Sequence, residues 1–133
     1  MRTPLILAAL CGFFFTVLCS SSPAQEKLVP GSQVAREVKV KAGGKDVTVR
    51  YWQFLPKSYT GKKDFPLMLF LHGAGERGNN LEKVKQWGPP KIVRKRKDFP
   101  FVVISPQCPK GTWWKVAELY QLVNHVAGDL KID

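Results

Sequence analysis

Residues 66–78 read Pro-Leu-Met-Leu-Phe-Leu-His-Gly-Ala-Gly-Glu-Arg-Gly. Leu67 to Leu71 form an unbroken apolar run, with Pro66 before it and a glycine-rich stretch after it. The run is too short for an ordinary helix and reads as a strand covered on both faces, as in a parallel sheet. A second run of the same kind spans Phe99 to Ile104, with Pro100 near its start and Pro106 just beyond its end. Between the two lie short helical stretches, Leu81 to Trp87 after Asn79 and Asn80, and Lys91 to Lys97 after Pro89 and Pro90. Proline suits a helix start, where the first amide has no partner anyway.

Toward the N-terminus the period changes to two. Val38 and Val40 alternate with Lys39 and Lys41, Gly43 and Gly44 intervene, and Val47, Val49 and Tyr51 alternate with Thr48 and Arg50. Two such runs about a Gly-Gly turn predict an antiparallel hairpin, its second strand able to continue to Pro56. Toward the C-terminus, Val116, Leu119, Tyr120, Val123, Val126 and Ala127 recur at spacings of three and four. That predicts a helix with one apolar face, which Gly128 is placed to end. Hairpin, buried strand, helical crossover, buried strand and helix imply an α/β sheet with helices on both faces. Ligands bind such sheets at the carboxyl ends of the strands, which here means residues 72–78 and 105–114.

The first residues have a different purpose. Met1 and Arg2 lead into an apolar run from Leu5 to Cys19, followed by Ser20, Ser21, Ser22, Pro23 and Ala24. A basic start, a short apolar centre and a small-residue exit predict a secretory signal peptide over residues 1–24, cleaved after Ala24. The run is shorter than the ~20 residues a membrane span needs, so no stable membrane anchor is expected. Residues 25–34 then read as a leader without structure of its own, and residues 35–133 as the folded domain. Cleavage would leave Cys108 as the only cysteine, too few for an internal disulfide. The product would be secreted or periplasmic.

The net charge of +11 would fall to +10, because residues 1–24 hold one basic residue and no acid. An excess of that size suits either an anionic partner or a solvated basic surface. Scattered placement favours the solvated surface, Lys91 to Lys97 being the one real cluster. That cluster has no interleaved aromatic residues to stack bases, so nucleic acid is not an expected partner.

The glycines of residues 73–78 permit a sharp turn and expose backbone amides. Amides aimed at one point stabilise the oxyanion formed when an ester carbonyl is attacked, whereas a tight strand-to-helix turn would use the same glycines for geometry alone. The stretches LMLFLHGAGERG, NNLEKVKQWGPPKIV and FPFVVISPQCP together resemble the α/β-hydrolase superfamily, near secreted bacterial carboxylesterases of the feruloyl-esterase and polyhydroxyalkanoate-depolymerase groups. The resemblance covers the front half of that domain, from Pro66 to Asp133. It implies that a His-Gly loop supplies one oxyanion-hole amide, here the backbone N–H of Ala74, with Gly73 shaping the loop. His72 would support the loop rather than serve as base, and Glu76 and Arg77 would brace it by hydrogen bonds or an ion pair. Gln107 is open to two roles, lining the rim of the site or bracing two loops. Trp114 likewise either covers part of the substrate pocket or packs in the core. Cys108 reads as an inert thiol, since no base is placed beside it.

The same resemblance calls for a Gly-x-Ser-x-Gly elbow, then an acid, then a histidine. No such elbow occurs in the 133 residues. Ser32 and Ser58 lie in polar loops, Ser105 precedes Pro106, and His125 sits in mid-helix. The expectation is therefore a truncated carboxylic-ester hydrolase without its nucleophile strand or its Ser-Asp-His triad, inactive alone and needing no metal or cofactor. Its substrate would be an ester or acyl-linked molecule, and a complementing C-terminal polypeptide would be its natural partner. A prolyl-oligopeptidase-type peptidase shares this front half, and a small basic secreted protein binding acidic envelope or glycan surfaces fits the charge.

Overall fold

A computed structural model of the chain describes residues 27–61, 65–130 and 132. The signal peptide expected over residues 1–24 lies outside these. Strands β1 (Gln33–Ala42) and β2 (Lys45–Phe54) form the expected antiparallel hairpin, with Val40 opposite Val47. Gly43 and Gly44 turn it with φ of 58° and 76°, the paired left-handed conformation that a two-residue hairpin loop requires. β1 begins two residues earlier than the sequence pattern suggests, inside the stretch read as a leader. There the Gly31 amide donates to the Leu55 carbonyl at 2.8 Å, tying that stretch to the end of β2.

β3 (Leu67–Leu69) is followed by a 3-10 turn at Ala74–Glu76, a longer 3-10 segment at Leu81–Gln86 and helix α1 (Gly88–Ile92). β4 (Val102–Pro106) and α2 (Val116–Leu130) complete the chain. The four strands make one mixed sheet in the order β1-β2-β4-β3, with β4 antiparallel to β2 and parallel to β3. This is the α/β architecture that the order of runs implies. Alternation along β4 divides the core. Val102 and Ile104 join Val40, Val49, Tyr51 and Leu55 beneath α2, while Val103 meets Phe54 and Val93 on the α1 side.

Three details differ from the sequence pattern. β4 is buried along its whole length, but β3 is only half-buried and Leu71 beyond it is 39% exposed. The apolar run of β3 lies at the sheet edge, where, among the described strands, only β4 pairs with it. α1 starts at Gly88 and contains Pro89 and Pro90 instead of following them, because Gly88 turns the chain at φ 61° and both prolines fall in the first helical turn. α2 runs through Gly128 to Leu130 and buries Leu122, Val126 and Leu130, while Val116 and Tyr120 are 81% and 63% exposed. A seat for Leu130 in the core, with the Tyr59 hydroxyl donating to its carbonyl at 3.0 Å, extends the helix past the glycine and selects the face spaced by fours.

Tyr51 is 1% exposed in this core. Burial pushes its phenol up to about 12, with Arg36 pulling the other way and Asp129 adding to the rise. The folded state thus holds a proton that the unfolded chain releases near the ordinary value of 10.0. Stability from this group is complete below that value and is lost as pH rises toward about 12. The urea midpoint is expected to fall between these pH values, and Tyr51→Phe is expected to remove much of that fall. Denaturation curves at several alkaline pH values check both.

Candidate functional site

Because β3 and β4 run parallel, their carboxyl ends lie side by side and their following loops meet. The Phe70 amide extends the ladder one step, donating to Ile104 at 2.9 Å. Beyond it the backbone ladder stops and side chains take over. His72 is 6% exposed, and its Nε2 accepts from the Cys108 amide at 3.0 Å. An imidazole nitrogen that accepts carries no proton, so the ring is neutral with its proton on Nδ1. That proton is donated to the carbonyl of Gly73 at 2.7 Å. The ring edge meets Trp114, with centroids 4.8 Å apart and planes at 63°.

Gln107 adds a second clamp. Its Nε2 donates to the carbonyls of Glu76 at 3.1 Å and Asn80 at 2.7 Å, and its backbone amide donates to Arg50 on β2 at 2.9 Å. The Gly78 amide donates to Cys108 at 3.0 Å, closing the connection between the loops. Glu76 and Arg77 form no ion pair with each other among the described residues. The Glu76 carboxylate folds back toward Gly73, close enough that a Cβ there would lie 3.3 Å from Oε2. The Arg77 guanidinium lies 3.7 Å above the Trp113 ring.

These clamps frame an exposed 3-10 turn. The Arg77 amide donates to the Ala74 carbonyl at 3.4 Å, and Gly73 enters the turn in extended conformation without a side-chain cap. The first amides of such a turn have no internal acceptor. Among the described residues none accepts from the Ala74 amide, and Ala74 is an exposed residue of the loop that follows β3. Trp114 also borders a small apolar hollow with Val49, Cys108 and Leu119.

The remaining candidates are placed elsewhere. Ser105 is fully buried on β4, its hydroxyl without a partner among the described residues. The Cys108 thiol is buried and, among the described residues, reaches only the Thr112 carbonyl and hydroxyl, at 3.5 Å each. His125 contacts Asp129 at 3.3 Å along α2. Sequence reasoning missed the Cys108 amide as the partner of His72, and Trp113 as the platform for Arg77. Nothing in a linear pattern signals either, since both depend on how the loops cross.

A crystal structure of a thermostable esterase matches this chain with a TM-score of 0.56 at 23% identity, over 79% of the chain and 32% of that structure. The chain therefore spans about a third of that esterase. The likeness establishes the fold alone, an esterase-like α/β sheet. No model of a known protein family matches the chain, and neither does any curated protein. No helix among the described residues is long and apolar enough to cross a membrane.

Gln107→Ala leaves two loop carbonyls without their donor, and a stability loss of about 1–3 kcal/mol is expected. Urea denaturation measures the loss. Hydrogen exchange at the Gly78 and Cys108 amides should quicken if the two loops separate.

Proposed function

We propose that the chain is the oxyanion-loop portion of an exported carboxylic-ester hydrolase, of the kind that includes feruloyl esterases. The carrying observation is the Ala74 amide, without an acceptor among the described residues, on an exposed loop after β3 that His72 and Gln107 clamp. Backbone donors of this sort contribute when they are fixed before charge develops on the attacked carbonyl oxygen. Ala74 supplies one donor, Gly73 lets the chain approach it, and His72 is committed to structure through both ring nitrogens. The esterase-like fold supports this assignment. The second donor and the nucleophile, acid and base come from a Gly-x-Ser-x-Gly segment and its followers, joined to this chain or supplied as a separate polypeptide. Residues 1–24 carry the product out of the cytoplasm.

Three experiments test the proposal. Reading the coding DNA beyond Asp133 in all three frames should reveal a strand followed by Gly-x-Ser-x-Gly. Expressed together with that segment, the chain should hydrolyse p-nitrophenyl acetate, and alone it should not. In the completed enzyme, Ala74→Pro removes the donor amide at a turn position that tolerates proline, since Gly73 before it is already extended. The expected result is a roughly 100- to 1,000-fold fall in kcat with little change in stability. Unchanged kcat would remove Ala74 from the oxyanion hole, and absence of any such segment would sink the esterase assignment.

A further inference from the structure

Beside the Ala74 loop, the two strand ends enclose an open cleft of about 410 Å3 lined by Ala74, Arg77, Asn79, Lys83 and Lys110, among others. Its charge is one-sided. The lining holds three cations and no carboxylate, and among the described residues none of the three has a carboxylate within ion-pair distance. Three other cations do have such a partner: Lys85 pairs with Glu82 at 2.9 Å, Lys115 with Glu118 at 3.2 Å and Arg96 with Asp98 at 3.7 Å. Arg77 lies instead on the Trp113 ring, which fixes the guanidinium plane and leaves its N–H edge free to donate.

The cleft walls are also held in place. Gly78 is bonded to Cys108, the Asn79 carbonyl accepts from Arg50 at 2.9 Å, and the Asn80 carbonyl accepts from Gln107. Like charges gathered in a fixed concavity reinforce one another's field and attract an anion. A fork of guanidinium N–H groups suits the paired oxygens of a carboxylate.

We propose that this cleft is the subsite for a carboxylate on the substrate, so that the ester hydrolysed carries a negative charge close to its scissile carbonyl. Half-esters of dicarboxylic acids are the simplest members of that class. The assignment to a substrate rests on the ester-hydrolase proposal, because Ala74 borders both the cleft and the oxyanion position. Anion binding itself needs only the cleft.

Titration of the 133-residue chain, followed by backbone amide NMR shifts at low salt, separates the possibilities. Monomethyl succinate is expected to bind roughly tenfold tighter than neutral dimethyl succinate, with shifts at Ala74, Arg77 and Lys110. The combined change Lys83→Ala and Lys110→Ala should remove that preference, and added salt should weaken it. Lys91→Ala with Lys95→Ala, on the separate basic cluster, should leave it intact. Equal binding of the two esters would overturn the proposal, as would equal loss from the Lys91 and Lys95 changes. Inorganic phosphate that binds when the half-ester does not would overturn the choice of carboxylate. Hydrolysis of p-nitrophenyl acetate by the completed enzyme reads the esterase proposal separately, since that ester carries no charge for the cleft. Half-ester binding without any such hydrolysis would keep the anion site and overturn its assignment to an ester substrate.

Discussion

The neutral imidazole of His72 holds together two loops that the sheet by itself leaves apart. Parallel strands end side by side, but their hydrogen-bond ladder does not extend into the loops that follow. One ring nitrogen takes the Cys108 amide and the other donates to the Gly73 carbonyl, so the loop after β3 is referred directly to the loop after β4. Burial makes this bridge firm, since breaking it would leave polar groups without water to replace their partners. The same commitment of both nitrogens rules His72 out as a proton carrier while the bridge is intact. Gln107 repeats the device one residue earlier in the chain, on the carbonyls of Glu76 and Asn80.

Support for the loop comes from one side. β3 is a short edge strand paired only with β4 among the described strands, and its apolar residues are half-buried. Hydrogen bonds from Cys108, from the Gln107 side chain and to the Cys108 carbonyl therefore carry positional information that a second neighbouring strand would otherwise share. An edge strand also presents unpaired N–H and C=O groups, a template for further strand pairing. The element that bears the candidate site is thus an edge strand, while β4, the strand that supports it, is buried along its whole length.

The sequence shows the sheet more readily than the site. Period-two runs about Gly43 and Gly44, and apolar runs ending at His72 and Ser105, mark the hairpin and the parallel pair because burial and pleat act on every residue of a strand. Val116 and Tyr120 read as part of the buried helix face because spacing gives a helix its period but not which stripe the sheet will cover. The seat of Leu130, past the glycine that seemed a natural stop, settled that choice. Glycines after residue 72 indicate a turn that exposes amides, yet they do not say what holds the turn still. The contacts that do so join residues about thirty positions apart, such as His72 with Cys108 and Gln107 with Glu76. No local pattern encodes them, and Arg77 on Trp113 is a further contact between distant residues.

Holding the turn still is what gives an exposed amide chemical value. A donor that must reorganise when the carbonyl oxygen gains charge loses much of its stabilising effect, whereas one fixed beforehand retains it. In this chain the bracing side chains of His72 and Gln107 are buried while Ala74 is an exposed residue, so rigidity and access are divided between different residues. The same division governs charge. A few cations elsewhere, such as Lys85 and Lys115, are paired with carboxylates, while Arg77, Lys83 and Lys110 border one cleft together without such a partner among the described residues. Like charges in one concavity repel, and an anionic ligand relieves that repulsion on binding. Fixed loops, a free amide and unopposed positive charge thus converge on the carboxyl ends of β3 and β4, the place where an α/β sheet leaves room for a ligand.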